Sequence, residues 1–83
     1  MSHKILIVDD EADIRELLAG TLEDEGYTTL KATNSNEALS AVALHQPSLV
    51  LLDIWLQGSE LDGIEILKVI KTDYPRIPVV MMS

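Results

Sequence analysis

The sequence predicts an α/β domain built on a doubly wound parallel sheet. Short apolar runs alternate with amphipathic segments, in the order β-α-β-α-β-α-β, and two of the runs end directly in aspartate. Strands that alternate with helices form a parallel sheet covered on both faces. The chain has 83 residues, of which 47% are hydrophobic, so one small domain with a core is expected and disorder is not.

The first half of the chain predicts two strands and two helices. The run "ILIV" at 5–8 is typical of a strand buried on both faces, and "YTTLKA" at 27–32 is rich in β-forming residues. Gly26 is well placed to end the first helix, and Asn34 to cap the second, with Glu37 as its capping-box partner. The residues at helical spacing are Ile14, Leu17, Leu18, Thr21 and Leu22 in the first helix, and Ala38, Leu39 and Val42 in the second.

The second half adds two strands and one helix. Pro47 ends the second helix, and "LVLLD" at 49–53 is a buried strand that ends in an acid. A loop, "IWLQGSELDG", leads to a third helix from about Ile64 to Tyr74, with Asp62 as its N-cap and Glu65 as partner. Its inward residues are Ile66, Leu67 and Ile70. Pro75 ends this helix, and "PVVMMS" at 78–83 is the fourth strand.

Charge and composition exclude several classes of function. The formal net charge of −8 argues against direct nucleic-acid binding, which needs clustered Lys and Arg. No cysteine is present, so thiolate metal sites are excluded, and His3 and His45 are too isolated to suggest one. No segment approaches the roughly 18 apolar residues of a membrane span, and no export signal is visible, so a cytoplasmic protein is expected.

Acidic or hydroxyl residues end three of the predicted strands, at the edge where ligands bind in such sheets. Asp9 and Asp10 follow the first strand, Asp53 ends the third, and Ser83 ends the fourth. Adjacent carboxylates repel each other unless a cation lies between them, and Mg²⁺ takes oxygen ligands. With Mg²⁺ bound, Asp53 would be a nucleophile that accepts a phosphoryl group as an acyl phosphate. Ser83 would donate a hydrogen bond to that group.

Single residues of this set also fit simpler roles. Asp9 or Asp10 alone could cap the first helix, and Glu11 and Asp13 fit solvated acids favoured by the dipole of its first turn. Trp55 fits either a core aromatic or a side chain that flanks the site.

Several motifs together resemble a known family. "ILIVDDE", "LVLLDI" with "LDG" further on, and "VVMMS" resemble the receiver domain of two-component response regulators, which has a flavodoxin-like fold. The resemblance covers the entire chain. The segment "DIWLQGSELDGIEIL" has two residues more than most receivers before its "DG", and is similar to the NtrX-like subgroup of NtrC-type regulators.

The resemblance implies a signalling domain that is not an enzyme. Asp53 corresponds to the phosphorylated residue, and Asp9 and Asp10 to the pair that holds Mg²⁺, with Asp10 the more direct ligand. Trp55 stands where the family offers a main-chain carbonyl to the metal, and its side chain is expected to influence the access of water. Ser83 corresponds to the switch hydroxyl. A sensor histidine kinase would be the partner, and a transcriptional output domain with a role in nitrogen regulation would be controlled.

The same resemblance implies that residues 1–83 are the N-terminal portion of a receiver. A complete one has a fifth strand and two more helices, and the family's lysine lies at a strand end not found here. The apolar "PVVMM" would then be an exposed strand edge. We therefore expect self-association, through this edge or by exchange of elements between chains.

Two other functions remain as alternatives. Phosphotransferases of the haloacid dehalogenase type also use an aspartate at a strand end, but they need a second aspartate two residues later, where this chain has Trp55. A receiver-like module for interaction or dimerisation that no longer switches is the main alternative.

Overall fold

The sheet has four parallel strands in the order β2-β1-β3-β4. The structure is a computed structural model, and it describes residues 3–82. Its elements are β1 (Lys4–Val8), α1 (Ala12–Asp24), β2 (Thr28–Ala32), α2 (Ser35–His45), β3 (Leu49–Asp53), α3 (Gly63–Asp73) and β4 (Val79–Met82). The predicted fold class and element order are confirmed.

The strand order reverses between β1 and β3. The chain moves one way from β1 to β2, and then returns across β1 to β3 and on to β4. Right-handed connections therefore place α1 on one face, and α2 and α3 together on the other. The carboxyl ends of β1 and β3 lie side by side at this reversal, where ligands bind in open α/β sheets.

The main core lies between the sheet and the pair α2 and α3. Alternate residues of β1 and β3 point into it, and they meet apolar residues of the two helices. The fully buried members are Leu6, Val8, Val50, Leu52, Ala38, Val42, Ile66 and Ile70. Full burial of one large aliphatic side chain stabilises the fold by about 1.5–3 kcal/mol. The predicted inward faces of α2 and α3 are confirmed, with Leu39 and Leu67 partly buried.

Helix α1 forms as predicted, but only part of its apolar stripe faces the sheet. Ile14 is 39% exposed and Leu17 is 67% exposed, whereas Ala19 is buried. The residues that share the side of Ala19 are at least half buried: Arg15, Leu18 and Leu22. The helix therefore lies on β1 and β2 through a small residue, and the outer part of its stripe remains accessible.

The predicted end of α1 at Gly26 is confirmed. Gly26 has φ +94°, a backbone conformation that side chains disfavour. Its N–H donates to the carbonyl of Glu23 at 3.0 Å, and the N–H of Tyr27 donates to that of Leu22 at 3.1 Å. This pair of bonds is a Schellman motif, which satisfies carbonyls at the end of the helix.

The caps of α2 and α3 also agree with the sequence, with one difference. Asp62 and Glu65 form a full capping box at α3. At α2 the side chain of Asn34 accepts from the N–H of Glu37, as predicted. The carboxylate of Glu37, however, accepts from the N–H and the hydroxyl of Thr33 and not from Asn34, so this box is only half formed.

The first residue of α3 lies against the end of β3. A Cβ built on Gly63 would lie 2.3 Å from the carbonyl oxygen of Asp53 and 2.8 Å from the Cα of Ile54. Both neighbours are backbone atoms, which cannot move aside as a flexible side chain would. The absence of a side chain at Gly63 therefore lets α3 approach the residue that ends β3.

Gly63→Ala should destabilise the fold by about 1–3 kcal/mol, because β3 or α3 must shift to admit the methyl group. Gly20→Ala is the matched control, since its added Cβ meets nothing within 4 Å. In the interior of α1 that alanine should stabilise by about 0.5–1 kcal/mol. Urea denaturation measures both changes. An unchanged urea midpoint for Gly63→Ala would refute the close contact.

Candidate functional site

Three carboxylates meet at the carboxyl ends of β1 and β3. Asp9 follows β1 directly, and Asp53 is the last residue of β3. One carboxylate oxygen from each of Asp9, Asp10 and Asp53 lies within 4.8 Å of the others. Within residues 3–82, this is the one group of three or more potential metal-binding side chains that the structure records. The predicted convergence of these acids is therefore confirmed.

Two tight turns of the backbone orient these carboxylates. The Oδ1 of Asp9 accepts from the N–H of Glu11 at 2.8 Å, and the Oδ1 of Asp53 accepts from the N–H of Trp55 at 3.0 Å. In each case the donor lies two residues further along the chain, as in an Asx turn. Because a carboxylate is planar, a bond to one oxygen restricts the direction of the other. Neither Asp9 nor Asp10 is the N-cap of α1, so the capping role that the sequence allowed for either is wrong; the N-cap is Glu11, which makes no side-chain capping bond.

Arg15 supports the same strand end from α1. Its Nη1 donates to the carbonyl oxygen of Asp9 at 2.9 Å. The pairing of Glu11 with Arg15 that their spacing favours is not formed, since the salt bridge recorded in the described part of the chain joins Lys31 to Glu16. A charge-assisted bond to a partly buried carbonyl is worth more than an exposed ion pair within a helix.

The electrostatics of the cluster disfavour its fully ionised state. Burial raises the pKa of Asp53, the bond from the Trp55 N–H lowers it, and the charges of Asp9 and Asp10 raise it again. The net effect is a raised pKa. Asp9 itself is only 6% exposed. A hard divalent cation would relieve this repulsion, and three convergent oxygens are the donor set that Mg²⁺ prefers, so the residues fit that ion.

A cleft of about 520 Å³ opens above the carboxylates. Its acidic wall is Asp9, Asp10 and Asp53, and its apolar wall includes Ile14 and Leu17 of α1. Trp55 also lines the cleft and is 71% exposed. Of its two predicted roles, a buried core aromatic is therefore wrong, and a side chain that flanks the site is confirmed.

Two other acidic residues of the sequence lie outside the cluster and have structural roles. Asp62 caps α3, and Asp13 is an exposed acid in the first turn of α1, both as expected. Ser83 lies outside the described residues. The residue before it, Met82, pairs with Asp53 in the sheet, and its carbonyl accepts from the N–H of Ile54 at 2.9 Å.

Residues 5–83 match the family model of the response regulator receiver domain. The chain belongs to this family. Receivers are signalling modules, and the predicted membership of this family is confirmed. The structure contains no helix within residues 3–82 that is long and apolar enough to span a membrane.

Similar proteins support the NtrX-like character of this receiver. The nitrogen assimilation regulatory protein NtrX of Azorhizobium caulinodans is 57% identical over 83 residues, which are 100% of this chain and 18% of that protein. The crystal structure of NtrX from Brucella abortus has a TM-score of 0.96 and 54% identity, and the match covers 100% of this chain and 18% of that one. Sporulation initiation phosphotransferase F of Bacillus subtilis is 47% identical over 100% of this chain and 65% of its own length. The predicted flavodoxin-like receiver fold and NtrX-like resemblance are thus confirmed.

Asp53→Asn should raise the free energy of unfolding at pH 7, without divalent cations, by on the order of 1 kcal/mol. The folded state raises the pKa of Asp53, so ionisation destabilises the fold. This destabilisation is complete above the raised pKa and disappears as the pH falls below the ordinary value of 3.8. The advantage of the variant should therefore shrink on acidification, and Mg²⁺ should also reduce it. Urea denaturation across pH measures this difference.

The matched control is Asp13→Asn, which removes an equal charge from an exposed position outside the cluster. Because the helix dipole favours an acid in the first turn of α1, this variant should be as stable as the wild type or slightly less stable, and never more stable. An Asp53→Asn variant that is less stable than the wild type at pH 7 would show that ionisation of Asp53 does not destabilise the fold.

Proposed function

We propose that this receiver accepts a phosphoryl group on Asp53 from a phosphohistidine of a sensor histidine kinase. The observation that carries the proposal is the convergence of the Asp9, Asp10 and Asp53 carboxylates at the strand-order reversal of a receiver fold. An oxygen of Asp53 attacks phosphorus while the phosphorus–nitrogen bond breaks. The imidazole leaves and takes up a proton, and Asp53 becomes an acyl phosphate.

Mg²⁺ is the proposed cofactor. The side chains of Asp9, Asp10 and Asp53 and the main-chain carbonyl of Trp55 would hold it, with Asp10 the more direct ligand. When bound, this ion supplies positive charge that offsets the repulsion among the carboxylates and the incoming phosphoryl group. The backbone N–H of Trp55 meanwhile orients the nucleophile through its bond to Asp53.

Two further side chains have proposed roles at the same site. The Ser83 hydroxyl would donate to the phosphoryl group as the switch residue, and the pairing of Met82 with Asp53 supports this, since Ser83 follows directly. The exposed indole of Trp55 would limit the approach of water, and thereby slow self-dephosphorylation.

The apolar wall of the cleft suggests where the kinase docks. Ile14 and Leu17 are exposed apolar residues, and they line the same cleft as the carboxylates. A protein that delivers a phosphohistidine to Asp53 must pass this wall, and burial of its side chains would stabilise the complex.

The regulatory output that this receiver would control is proposed from the similar NtrX proteins. The chain spans 18% of the length of the NtrX relatives. We infer that it is the N-terminal portion of a longer cytoplasmic regulator, in which it controls a transcriptional output connected with nitrogen. The net charge of −8 supports a role without direct contact of this segment with nucleic acid.

Self-association is proposed for the 83-residue chain. Strand β4 pairs only with β3 in the described sheet, and Val80 on it is 49% exposed. An apolar edge strand is a template for pairing with another chain. Association through β4, or by exchange of elements, would cover it.

Phosphorylation of Asp53 is tested with a small donor. After incubation with acetyl phosphate and Mg²⁺, mass spectrometry should find a species heavier by one phosphoryl group. Asp53→Asn should abolish this species because it removes the nucleophile, and Asp10→Asn should reduce it. Asp13→Asn should leave it unchanged. An adduct that persists in Asp53→Asn would contradict the assignment, and a full-length regulator containing this receiver that never forms one would overturn the phosphoacceptor role.

Leu17→Asp should lower phosphotransfer from a phosphorylated histidine kinase about tenfold or more, because a charge replaces a contact that docking would bury. Transfer from acetyl phosphate should not change, since that donor needs no docking surface. Leu44→Asp on α2 is the control, since Leu44 is 78% exposed and does not line the cleft. Equal loss with both donors would argue against docking on α1.

Sedimentation velocity of the 83-residue chain should detect dimers or larger species at tens of micromolar. Val80→Lys should shift the distribution toward monomer, because a charged residue on an edge strand opposes pairing. Leu44→Lys, with an equal charge on α2, should not. A clean monomer for the wild type would count against self-association.

A further inference from the structure

A buried serine links the loop at 54–62 to the start of α2. Ser35 is the first residue of α2 and is 2% exposed. Its N–H donates to the Oγ of Ser59 at 2.8 Å, and the N–H of Leu61 donates to the Oγ of Ser35 at 3.3 Å. We call these two bonds the loop latch.

The latch satisfies polar groups on both sides. The first N–H groups of a helix have no partner within the helix. The Oδ1 of Asn34 accepts from the N–H of Glu37, and the Oγ of Ser59, which lies on a different loop, accepts from the N–H of Ser35. The buried hydroxyl of Ser35 in turn requires a partner, which Leu61 provides. If the loop moved away, the buried Ser35 would lose both of its hydrogen bonds to the loop, and an unpaired buried polar group is costly.

The rest of the loop has few anchors. Trp55 and Gln57 are exposed, and Gly58 has φ +68°. Leu56 is buried in the core, so it holds the loop near β3. The latch is therefore a further anchor beside the buried Leu56 and the partly buried Leu61, and only Gln57 and Gly58 separate it from Leu56.

We propose that Ser59, through Ser35, is a positioning residue for the acidic site. It restrains the loop so that the Trp55 backbone keeps its bond to the Asp53 carboxylate, and the oxygens remain arranged for a divalent cation. Ser59 does not contact the carboxylates. This inference rests on the proposed role of the acidic cluster in binding Mg²⁺.

The test is a titration with Mg²⁺ alone, followed by the fluorescence of Trp55, the single tryptophan of the chain. Ser59→Ala should weaken Mg²⁺ binding about three- to tenfold, the factor that corresponds to the loss of one hydrogen bond. Without Mg²⁺, the fluorescence anisotropy of Trp55 should also fall, because the loop becomes more mobile. Ser59→Thr should restore both values, since it keeps the hydroxyl at a position that is only partly buried.

Ser40→Ala is the matched control, because Ser40 is an exposed serine on α2, the helix that begins at Ser35. All variants are compared below their melting transitions, as followed by circular dichroism. If Ser59→Ala keeps the wild-type Mg²⁺ affinity and Trp55 anisotropy, the positioning role of Ser59 is overturned, but the proposed metal site is not. A loss that Ser59→Thr does not restore would assign Ser59 a purely structural role and also overturn the positioning role. A wild-type chain without any response to Mg²⁺ would instead overturn the proposed metal site, and the positioning role with it.

Discussion

The repulsion between carboxylates at two neighbouring strand ends is the constraint on which the rest of this structure depends. The sheet order places β1 beside β3, so Asp9 and Asp53 must lie close together. Burial and the neighbouring charges raise the pKa of Asp53, so ionisation of this residue destabilises the fold. A chain that tolerates this destabilisation is ready to bind a cation, because the cation removes a repulsion that already exists.

The surrounding backbone keeps the carboxylates from moving apart. Asp9 and Asp53 are each bonded to an N–H two residues onward, and Arg15 holds the carbonyl of Asp9. On the other side, Gly63 lets α3 press against the carbonyl of Asp53. None of these contacts removes the negative charge. They restrict the ways in which the cluster could relax, and so keep its oxygens arranged for the proposed cation.

Sequence patterns predicted the parts of this structure that depend on local chemistry. The strand ending at Asp53, the end of α1 at Gly26 and the capping box at Asp62 each follow from a few adjacent residues. The exposed stripe of α1 was not predictable, because which side of a helix meets the sheet depends on its neighbours. The Ser35–Ser59 contact was also missed, since 24 positions separate the two residues and neither has a distinctive local pattern.

In the proposed phosphotransfer, the acidic wall and the apolar wall of the cleft would recognise different parts of the phosphoryl donor. The chain carries a net charge of −8, so by itself it repels the phosphoryl group that it is proposed to accept. A cation among the acids would reverse this locally, but it would do so for any phosphate compound. Discrimination between donors must therefore come from elsewhere in the cleft. Ile14 and Leu17 offer apolar surface that a small phosphate compound cannot bury and that a protein donor can. The proposed selection of a protein donor would account for the exposure of Ile14 and Leu17 on α1, which lie outside the core.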